Sequence, residues 1–182
     1  MARPPLTGVL LVGGASERFG SPKALARLGD ETLAERGYRL LGEACDEVLA
    51  VGKSEDALPL PFPVLDDGAA GRAPVFGVVA GLRAAAHEVC LVLPVDCPLV
   101  TPGLLARLGA AGAVPQTGPL PGAYARSLLP VIEARVARGE LSLRGVNPVV
   151  LEVDAALLAD VDTFADLERL GPGAARSTDA VP

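Results

Sequence analysis

The chain has 182 residues, of which 50% are hydrophobic and only 3% aromatic, and its formal net charge is −6. This length suits one domain with an aliphatic core, and the acidic balance argues against a general nucleic-acid surface or an anionic membrane as partner. A single histidine and the lack of a C-x-x-C pair give no support to a zinc site or a disulfide framework.

The expected location follows from the cysteines and the apolar runs. Cys45, Cys90 and Cys97 are expected to be buried thiols in a reducing compartment. The first residues, MARPPLTG, contain no apolar region of a signal peptide, and no apolar run approaches the length of a membrane span. The sequence therefore predicts a cytoplasmic protein.

Apolar runs and helical spacings alternate along the first part of the chain. The predicted strands are 9–12, 47–51, 62–65 and 89–95, and the predicted helices are 32–44, 77–86 and 102–108, the last with Thr101 as N-cap. This alternation is typical of a mostly parallel sheet covered by helices. Ligands of such folds bind beyond the carboxyl ends of the strands, where the loop at Gly13, the pair Asp66-Asp67 and Asp96 all fall.

The C-terminal part is less regular. Strands are predicted at 113–115 and 149–153, a turn-rich segment that becomes extended at 118–125, and a helix at 128–137. Thr163 and Asp166 resemble a capping box that opens a helix ending at Leu170, with Gly171 as its C-cap. We expect one domain over residues 1–171 and a disordered tail over 172–182.

The loop after the first strand combines glycines with cations. Gly13 and Gly14 are followed by Gly20 and then by Lys23, a spacing that matches neither G-x-G-x-x-G nor G-x-x-x-x-G-K-[ST]. Glycines allow backbone N–H groups to approach an anion, Arg18 offers a planar fork, and Lys23 offers a point charge. The pattern favours a triphosphate cradle over a plain turn with two solvated cations.

The segment LVGGASERFGSPK resembles the signature L-x-G-G-x-S-x-R-[MF]-G-x-x-K of nucleotidyltransferases, and most closely that of the molybdenum cofactor guanylyltransferases. The related cytidylyltransferases usually show L-A-A-G there. The resemblance implies a three-layer Rossmann-like nucleotidyltransferase fold with a mostly parallel sheet. It also implies these nucleotide-binding residues in the first loop: Leu11, Val12, Gly13, Gly14, Ser16, Arg18, Gly20 and Lys23.

The segment LPVDCPLVTP resembles the D-x-P segment of the same family, whose aspartate holds Mg²⁺ against the phosphates. Mg²⁺ prefers oxygen ligands and often takes one or two protein carboxylates, so Asp96 is the implied metal ligand. The alternative is that Asp96 merely ends the strand or caps the next helix. Cys97 is interpreted as a small packing residue.

The segment VLDDGAAGRAPVFGVVAGL resembles a family stretch in which an aspartate helps to select guanine, because a carboxylate can accept from both N1–H and N2–H₂. The implied residue is Asp66 or Asp67, with Asp67 favoured, and the alternative is a solvated turn pair. The family often has a base-contacting asparagine after the second strand, where this sequence has Gly52-Lys53.

The segment LADVDTFADL resembles F-x-N-I-N-T-P-E-D-L, with Asp160 and Asp162 in place of the two asparagines. In the family this region lines the pterin side. The two aspartates are therefore candidates for acceptor binding or for the metal site, and the alternative for Asp162 is a place near a helix N-terminus.

Taken together, the resemblance implies an enzyme that transfers GMP from GTP to the molybdenum–molybdopterin cofactor and releases pyrophosphate. Arg18, Lys23 and Asp96 are the implied catalytic residues, Mg²⁺ the metal, and proteins that deliver the cofactor or receive it the further partners. The alternatives are a nucleotidyltransferase that uses CTP or a sugar-phosphate acceptor, and a nucleotide-binding regulatory domain without turnover.

Overall fold

Strands and helices alternate through the residues that the structure, a computed structural model, describes, namely 4–13 and 21–171. The predicted tail at 172–182 and most of the first loop lie outside these residues. The helices are α1 (Leu33–Ala44), α2 (Pro74–Ala84), α3 (Pro102–Ala111), α4 (Leu129–Ala137) and α5 (Phe164–Leu170). The strands are β1 (Leu6–Leu11), β2 (Arg27–Leu28), β3 (Glu31–Thr32), β4 (Glu47–Gly52), β5 (Val64–Asp66), β6 (Val89–Pro94), β7 (Val114–Pro115), β8 (Gly122–Ala125) and β9 (Val150–Leu151).

The central sheet has five strands in the order β5-β4-β1-β6-β8. The first four are parallel and β8 runs antiparallel to β6, so the prediction of a mostly parallel sheet is confirmed. Every residue of β1 is buried, which explains the apolar run from Val9 to Leu11. The buried hydroxyl of Thr7 donates to Oε2 of Glu47 at 2.6 Å. The carboxyl ends of the four parallel strands lie at one edge of the sheet, and the residues that follow them are neighbours there.

Helices cover both faces of the sheet and make three layers. Leu6 and Leu10 of β1 belong to a core cluster shared with α1 and α3, whereas Val9 and Leu11 belong to a second cluster shared with α2 and α4. This division follows from the alternation of side chains along a strand. The three-layer prediction is therefore confirmed.

Two glycines allow α2 to lie close to β1. A Cβ atom on Gly81 would lie 2.6 Å from Cγ1 of Val9, and one on Gly77 would lie 2.7 Å from Cδ2 of Leu11. Side chains at these positions would push the helix off the sheet. The close approach places the first turn of α2, which begins at Pro74, beside the carboxyl edge of the sheet.

The helix starts follow local chemistry. Thr32 and Glu35 form a complete capping box at α1, and Thr163 and Asp166 form one at α5, as the sequence predicted for α5. Thr101 caps α3 by accepting from the backbone N–H of Leu104. None of the helices within 4–13 and 21–171 is long and apolar enough to cross a membrane.

The short strands were the hardest elements to predict. The hairpin β2–β3, whose turn includes Gly29 at φ +67°, has strands of two residues, too short to show a period of alternation. The expected strands at 113–115 and 149–153 exist in part as β7 and β9, which pair with each other in a small parallel sheet instead of joining the central one. The fifth strand of the central sheet is β8, from the segment expected to become extended.

Candidate active site

A cavity of about 330 Å³ opens at the carboxyl edge of the central sheet. Several sequence-predicted residues line it, and the chain segments that meet there follow β1, β4, β5 and β6. Its lining residues are Leu11, Val12, Gly13, Lys23, Val51, Gly52, Lys53, Asp67, Arg72, Ala73, Pro74, Gly77, Pro94, Val95, Asp96 and Asp162. Gly14, Ser16, Arg18 and Gly20, also predicted as site residues, lie outside the described part of the chain.

One end of the cavity holds a lysine between two carboxylates. The Nζ atom of Lys23 donates to Oδ1 of Asp162 at 2.9 Å and to Oδ2 of Asp96 at 3.3 Å. Asp96 follows β6, while Asp162 lies just before the cap of α5 and is brought there because the backbone N–H of Val161 donates to the carbonyl of Asp96 at 2.8 Å. The three side chains, far apart in sequence, therefore form one cluster.

Lys23 is placed by the turn that carries it. A 3₁₀ turn over Lys23–Leu25 begins directly after Pro22. Burial by itself would lower the pKa of the Lys23 ammonium, but the hydrogen bond and charge of Asp162, together with the charge of Asp96, raise that pKa above its ordinary value. Lys23 is therefore a fixed positive charge at neutral pH.

The same cluster fits a divalent cation. Asp96 and Asp162 already face one shared cation, the Lys23 ammonium, so their oxygens are directed at a common position. Among the residues at 4–13 and 21–171, no group of three or more His, Cys, Asp and Glu could hold a metal ion. One or two carboxylates, with water and phosphate completing the shell, is the set that Mg²⁺ takes in phosphate chemistry.

The other end of the cavity holds a buried ion pair. The Nζ atom of Lys53 donates to Oδ1 of Asp67 at 2.6 Å and also to the carbonyl of Ala69, and the two charged side chains are only 7% and 8% exposed. Oδ1 of Asp67 also accepts from the N–H of Ala69 at 2.9 Å. Lys53 was not predicted as a site residue, because a lysine at the end of a strand is only a weak signal in the sequence.

Asp66 has a different role from its neighbour. Its carboxylate accepts from the backbone N–H groups of Ser54 and Gly68, both at 2.6 Å, and the side chain lies outside the cavity lining. The bonds from Ser54 and then Gly68 lower the pKa of Asp66 to about 2. Asp66 joins the loops after β4 and β5, and of the two aspartates it is Asp67 that lines the cavity.

Asp160 and Asp162, the two aspartates predicted for the acceptor or the metal, also differ in position. Asp162 lines the cavity, whereas Asp160 is exposed and does not. Cys97 is buried beside Asp96, and burial raises the pKa of its thiol to about 12. Cys97 is consequently an unreactive packing residue at neutral pH.

The two charged ends lie on opposite sides of β1. Lys53 and Asp67 follow β4 and β5 on one side, and Asp96 follows β6 on the other. With neighbouring strands about 4.8 Å apart, β4 and β6 are separated by roughly 10 Å. The cavity therefore has a cluster of charged side chains at each of two separated ends.

Fold and site together define an α/β domain with a cavity, lined by charged side chains of both signs, at the carboxyl edge of its sheet. The family model described as "MobA-like NTP transferase domain" matches residues 8–160. The chain belongs to the MobA-like NTP transferase family.

The names of several relatives of this chain refer to the molybdenum cofactor or to molybdopterin. A "Probable molybdenum cofactor guanylyltransferase" of Chloroflexus aggregans is 34% identical over 155 residues, covering 76% of this chain and 74% of that protein. A protein of the same name from Pelotomaculum thermopropionicum is 33% identical over 172 residues, covering 89% and 83%. The structure of molybdopterin-guanine dinucleotide biosynthesis protein A from Archaeoglobus fulgidus superposes with a TM-score of 0.75 at 22% identity, over 90% of this chain and 95% of that one, which is a likeness of fold.

Proposed function

We propose that this chain is a molybdenum cofactor guanylyltransferase, which transfers GMP from GTP to the molybdenum–molybdopterin cofactor and releases pyrophosphate. The observation that carries the proposal is the Lys23 ammonium held between Asp96 and Asp162 at the end of the cavity next to the Gly13 loop. A cation and two carboxylates at that place suit chemistry on phosphates, and the named relatives support the choice of reaction.

The proposed reaction is an in-line displacement at phosphorus. An oxygen of the terminal phosphate of molybdopterin attacks the α-phosphorus of GTP, a new P–O bond forms, and the bond from the α-phosphorus to the bridging oxygen breaks, releasing pyrophosphate. A phosphate monoester has its second pKa near 6 and is largely a dianion at neutral pH. The acceptor therefore needs no general base.

The position of the single histidine agrees with a reaction that needs no general base. The backbone N–H of His87 donates to Oγ1 of Thr7, which lies near the amino end of β1. His87 is thus at the opposite edge of the sheet from the cavity. It takes no part in the proposed chemistry.

The first loop would bind the triphosphate. Leu11, Val12 and Gly13 lie at the end of β1 in the cavity lining, and the predicted partners Gly14, Ser16, Arg18 and Gly20 continue the same loop. Lys23 would contact the phosphates as a point charge, and the Arg18 fork would bind phosphate oxygens. Both cations would stabilise the negative charge that develops on the leaving pyrophosphate.

Asp96 is the proposed ligand of Mg²⁺, with Asp162 as a second carboxylate at the same place. When bound, Mg²⁺ neutralises charge on the triphosphate and on the pyrophosphate that leaves. Until it binds, the contact with Lys23 satisfies both carboxylates. Asp160 and Asp162 lie in the segment that the resemblance assigns to the acceptor, and a role for Asp162 toward molybdopterin is part of the same proposal.

Guanine would lie at the end of the cavity formed by Asp67, with its N–H groups donating to the carboxylate.

We further propose that the protein works in the cytoplasm and meets the proteins that deliver the cofactor or receive it. Transfer from CTP, or to a sugar phosphate, is the alternative activity, and nucleotide binding without turnover is the alternative of another class.

The decisive experiment offers each of the four ribonucleoside triphosphates with Mg²⁺ and the molybdopterin cofactor, and measures pyrophosphate release. We expect release with GTP alone. Release with CTP and not with GTP would overturn the guanine assignment. Tight GTP binding without release for any acceptor tested would support the regulatory alternative.

A further inference from the structure

We propose that Lys53 selects the base: its ammonium donates a hydrogen bond to O6 of guanine while it holds Asp67 so that one carboxylate oxygen accepts from N1–H. This inference rests on the proposed function, since it takes the nucleotide to be GTP. It differs from the expectation that both oxygens of one aspartate accept from N1–H and N2–H₂.

The hydrogen bonds of Lys53 leave one donor for a ligand. An ammonium has three N–H donors, and two of those on Lys53 are used by Oδ1 of Asp67 and the carbonyl of Ala69. Within residues 4–13 and 21–171, the hydrogen bonds of Nζ include no third acceptor; the nearby ring of Phe76 has its centroid 5.9 Å away. The side chain is 93% buried yet lines the cavity, so the remaining donor has the ligand space as its available partner.

The two oxygens of the Asp67 carboxylate also differ in their hydrogen bonds. Oδ1 accepts two hydrogen bonds, from Lys53 and from the N–H of Ala69, whereas Oδ2 accepts none from the described residues. The side chain is only 8% exposed and lines the cavity. Oδ2 therefore keeps its capacity to accept a hydrogen bond from a ligand in the cavity.

Donor and acceptor therefore lie side by side at this end of the cavity, and guanine has the complementary pair. Its O6 accepts and its neighbouring N1–H donates. Adenine and cytosine present an amino group and an unprotonated ring nitrogen in the corresponding positions, which would direct N–H groups at the ammonium and a lone pair at the carboxylate. The pair thus rejects adenine and cytosine by repulsion as well as by lost contacts. Uracil, whose O4 and N3–H match O6 and N1–H of guanine, is not rejected by this pair.

The test is nucleotide binding without any acceptor. In 6-thio-GTP the N1–H and N2–H₂ donors are kept, but sulfur replaces O6 and is a weak hydrogen-bond acceptor. We expect the protein to bind GTP roughly tenfold more tightly than 6-thio-GTP, since a hydrogen bond to a charged group is lost. Equal affinities in the unaltered protein would overturn the proposal without any variant.

Variants then separate base contact from a purely structural role. In Lys53→Met the ratio of the two affinities should fall towards one, and in Lys53→Gln, which keeps a neutral donor, it should take an intermediate value. If Lys53 serves only to hold Asp67 in place, both nucleotides lose affinity equally and the ratio is unchanged. A purely steric penalty for sulfur would likewise leave the ratio as it was.

Asp30→Asn is the matched control, because Asp30 is an exposed aspartate in the turn between β2 and β3 and lies outside the cavity lining. It should keep the ratio of the unaltered protein, and thermal unfolding of each variant confirms that it is folded. Failure of the proposed function is distinguishable: the unaltered protein would then prefer CTP or ATP to GTP. If the unaltered protein prefers GTP but the Lys53 variants keep the same ratio of GTP to 6-thio-GTP affinity, the result would contradict the role of Lys53 and leave the proposed function standing.

Discussion

Lys23 and Asp96 are 73 positions apart in the sequence, yet the Nζ atom of Lys23 lies 3.3 Å from Oδ2 of Asp96. The fold makes this contact by placing the turn after the β1 loop and the end of β6 at the same edge of the sheet. It joins the cation predicted to bind phosphate with the carboxylate predicted to bind metal.

Replacing Lys23 by alanine should weaken GTP binding more than GMP binding, because the ammonium is placed to contact the outer phosphates and GMP lacks them. The loss for GTP should be about tenfold or more, as for a hydrogen bond to a charged group. Calorimetric titration with both nucleotides measures it. Equal losses for the two would place Lys23 away from the outer phosphates.

Asp96→Ala should abolish turnover and remove the Mg²⁺ dependence of GTP binding. The reason is that Asp96 is the carboxylate at the end of β6, held in place by the bond from Val161 to its carbonyl. The matched control is Asp30→Ala, since Asp30 is an exposed aspartate outside the cavity lining. Full activity of Asp96→Ala would rule out the metal role.

Asp162→Asn should lower the pKa of Lys23, because the hydrogen bond and charge of Asp162 help to raise it. A group with a raised folded-state pKa stabilises the fold below its unfolded value, near 10.5, and this stabilisation is lost as the pH rises through the folded value. Asp162→Asn should therefore lose this stabilisation at a lower pH than the unaltered protein does. Titration of the Lys23 side chain by NMR measures the change, and an unchanged pKa would show that the contact is not maintained in solution.

Asp66 should make the fold sensitive to acid. Its pKa is lowered to about 2 from a model-peptide value of 3.8, so its carboxylate contributes stability above about pH 4, and this is lost as the pH falls towards 2. Urea unfolding at several pH values compares the protein with Asp66→Asn. The two should differ most above pH 4 and converge towards pH 2; a difference independent of pH would contradict the assignment.

The glycines of α2 offer a test of packing. Gly81→Ala should destabilise the protein by about 1–3 kcal/mol, since the new methyl group would overlap Val9 at 2.6 Å. Gly42→Ala, on the exposed side of α1 with no atom within 4 Å of the new Cβ, should instead stabilise it by about 0.5–1 kcal/mol. Chemical denaturation gives both values. Equal effects at the two sites would contradict the close approach of α2 to β1.

Local patterns were sufficient to predict most of the regular elements. β6 and the second half of β1 are apolar because both faces of a central parallel strand are covered. α5 begins at its capping box because Thr163 and Asp166 satisfy each other's backbone N–H groups. The bounds of α2 were less accurate, since the helix begins at Pro74, before the predicted start at Gly77, and ends at Ala84, before the predicted end at Ala86. Elements of two residues, such as β2 and β3, leave no periodic signal.

The sequence alone determined the class of fold, the edge of the sheet that carries the site and the residue types available there, because apolar periodicity and strand ends are local properties. Only the tertiary structure decided which carboxylates share a cation. It joined Asp162 to Lys23 across 139 positions, separated Asp67 from Asp66, and placed Lys53 in the cavity as the buried partner of Asp67. Such contacts depend on the order of the strands in the sheet and on the direction that a side chain takes beyond the end of its strand. Neither property is encoded in the neighbouring residues of the sequence.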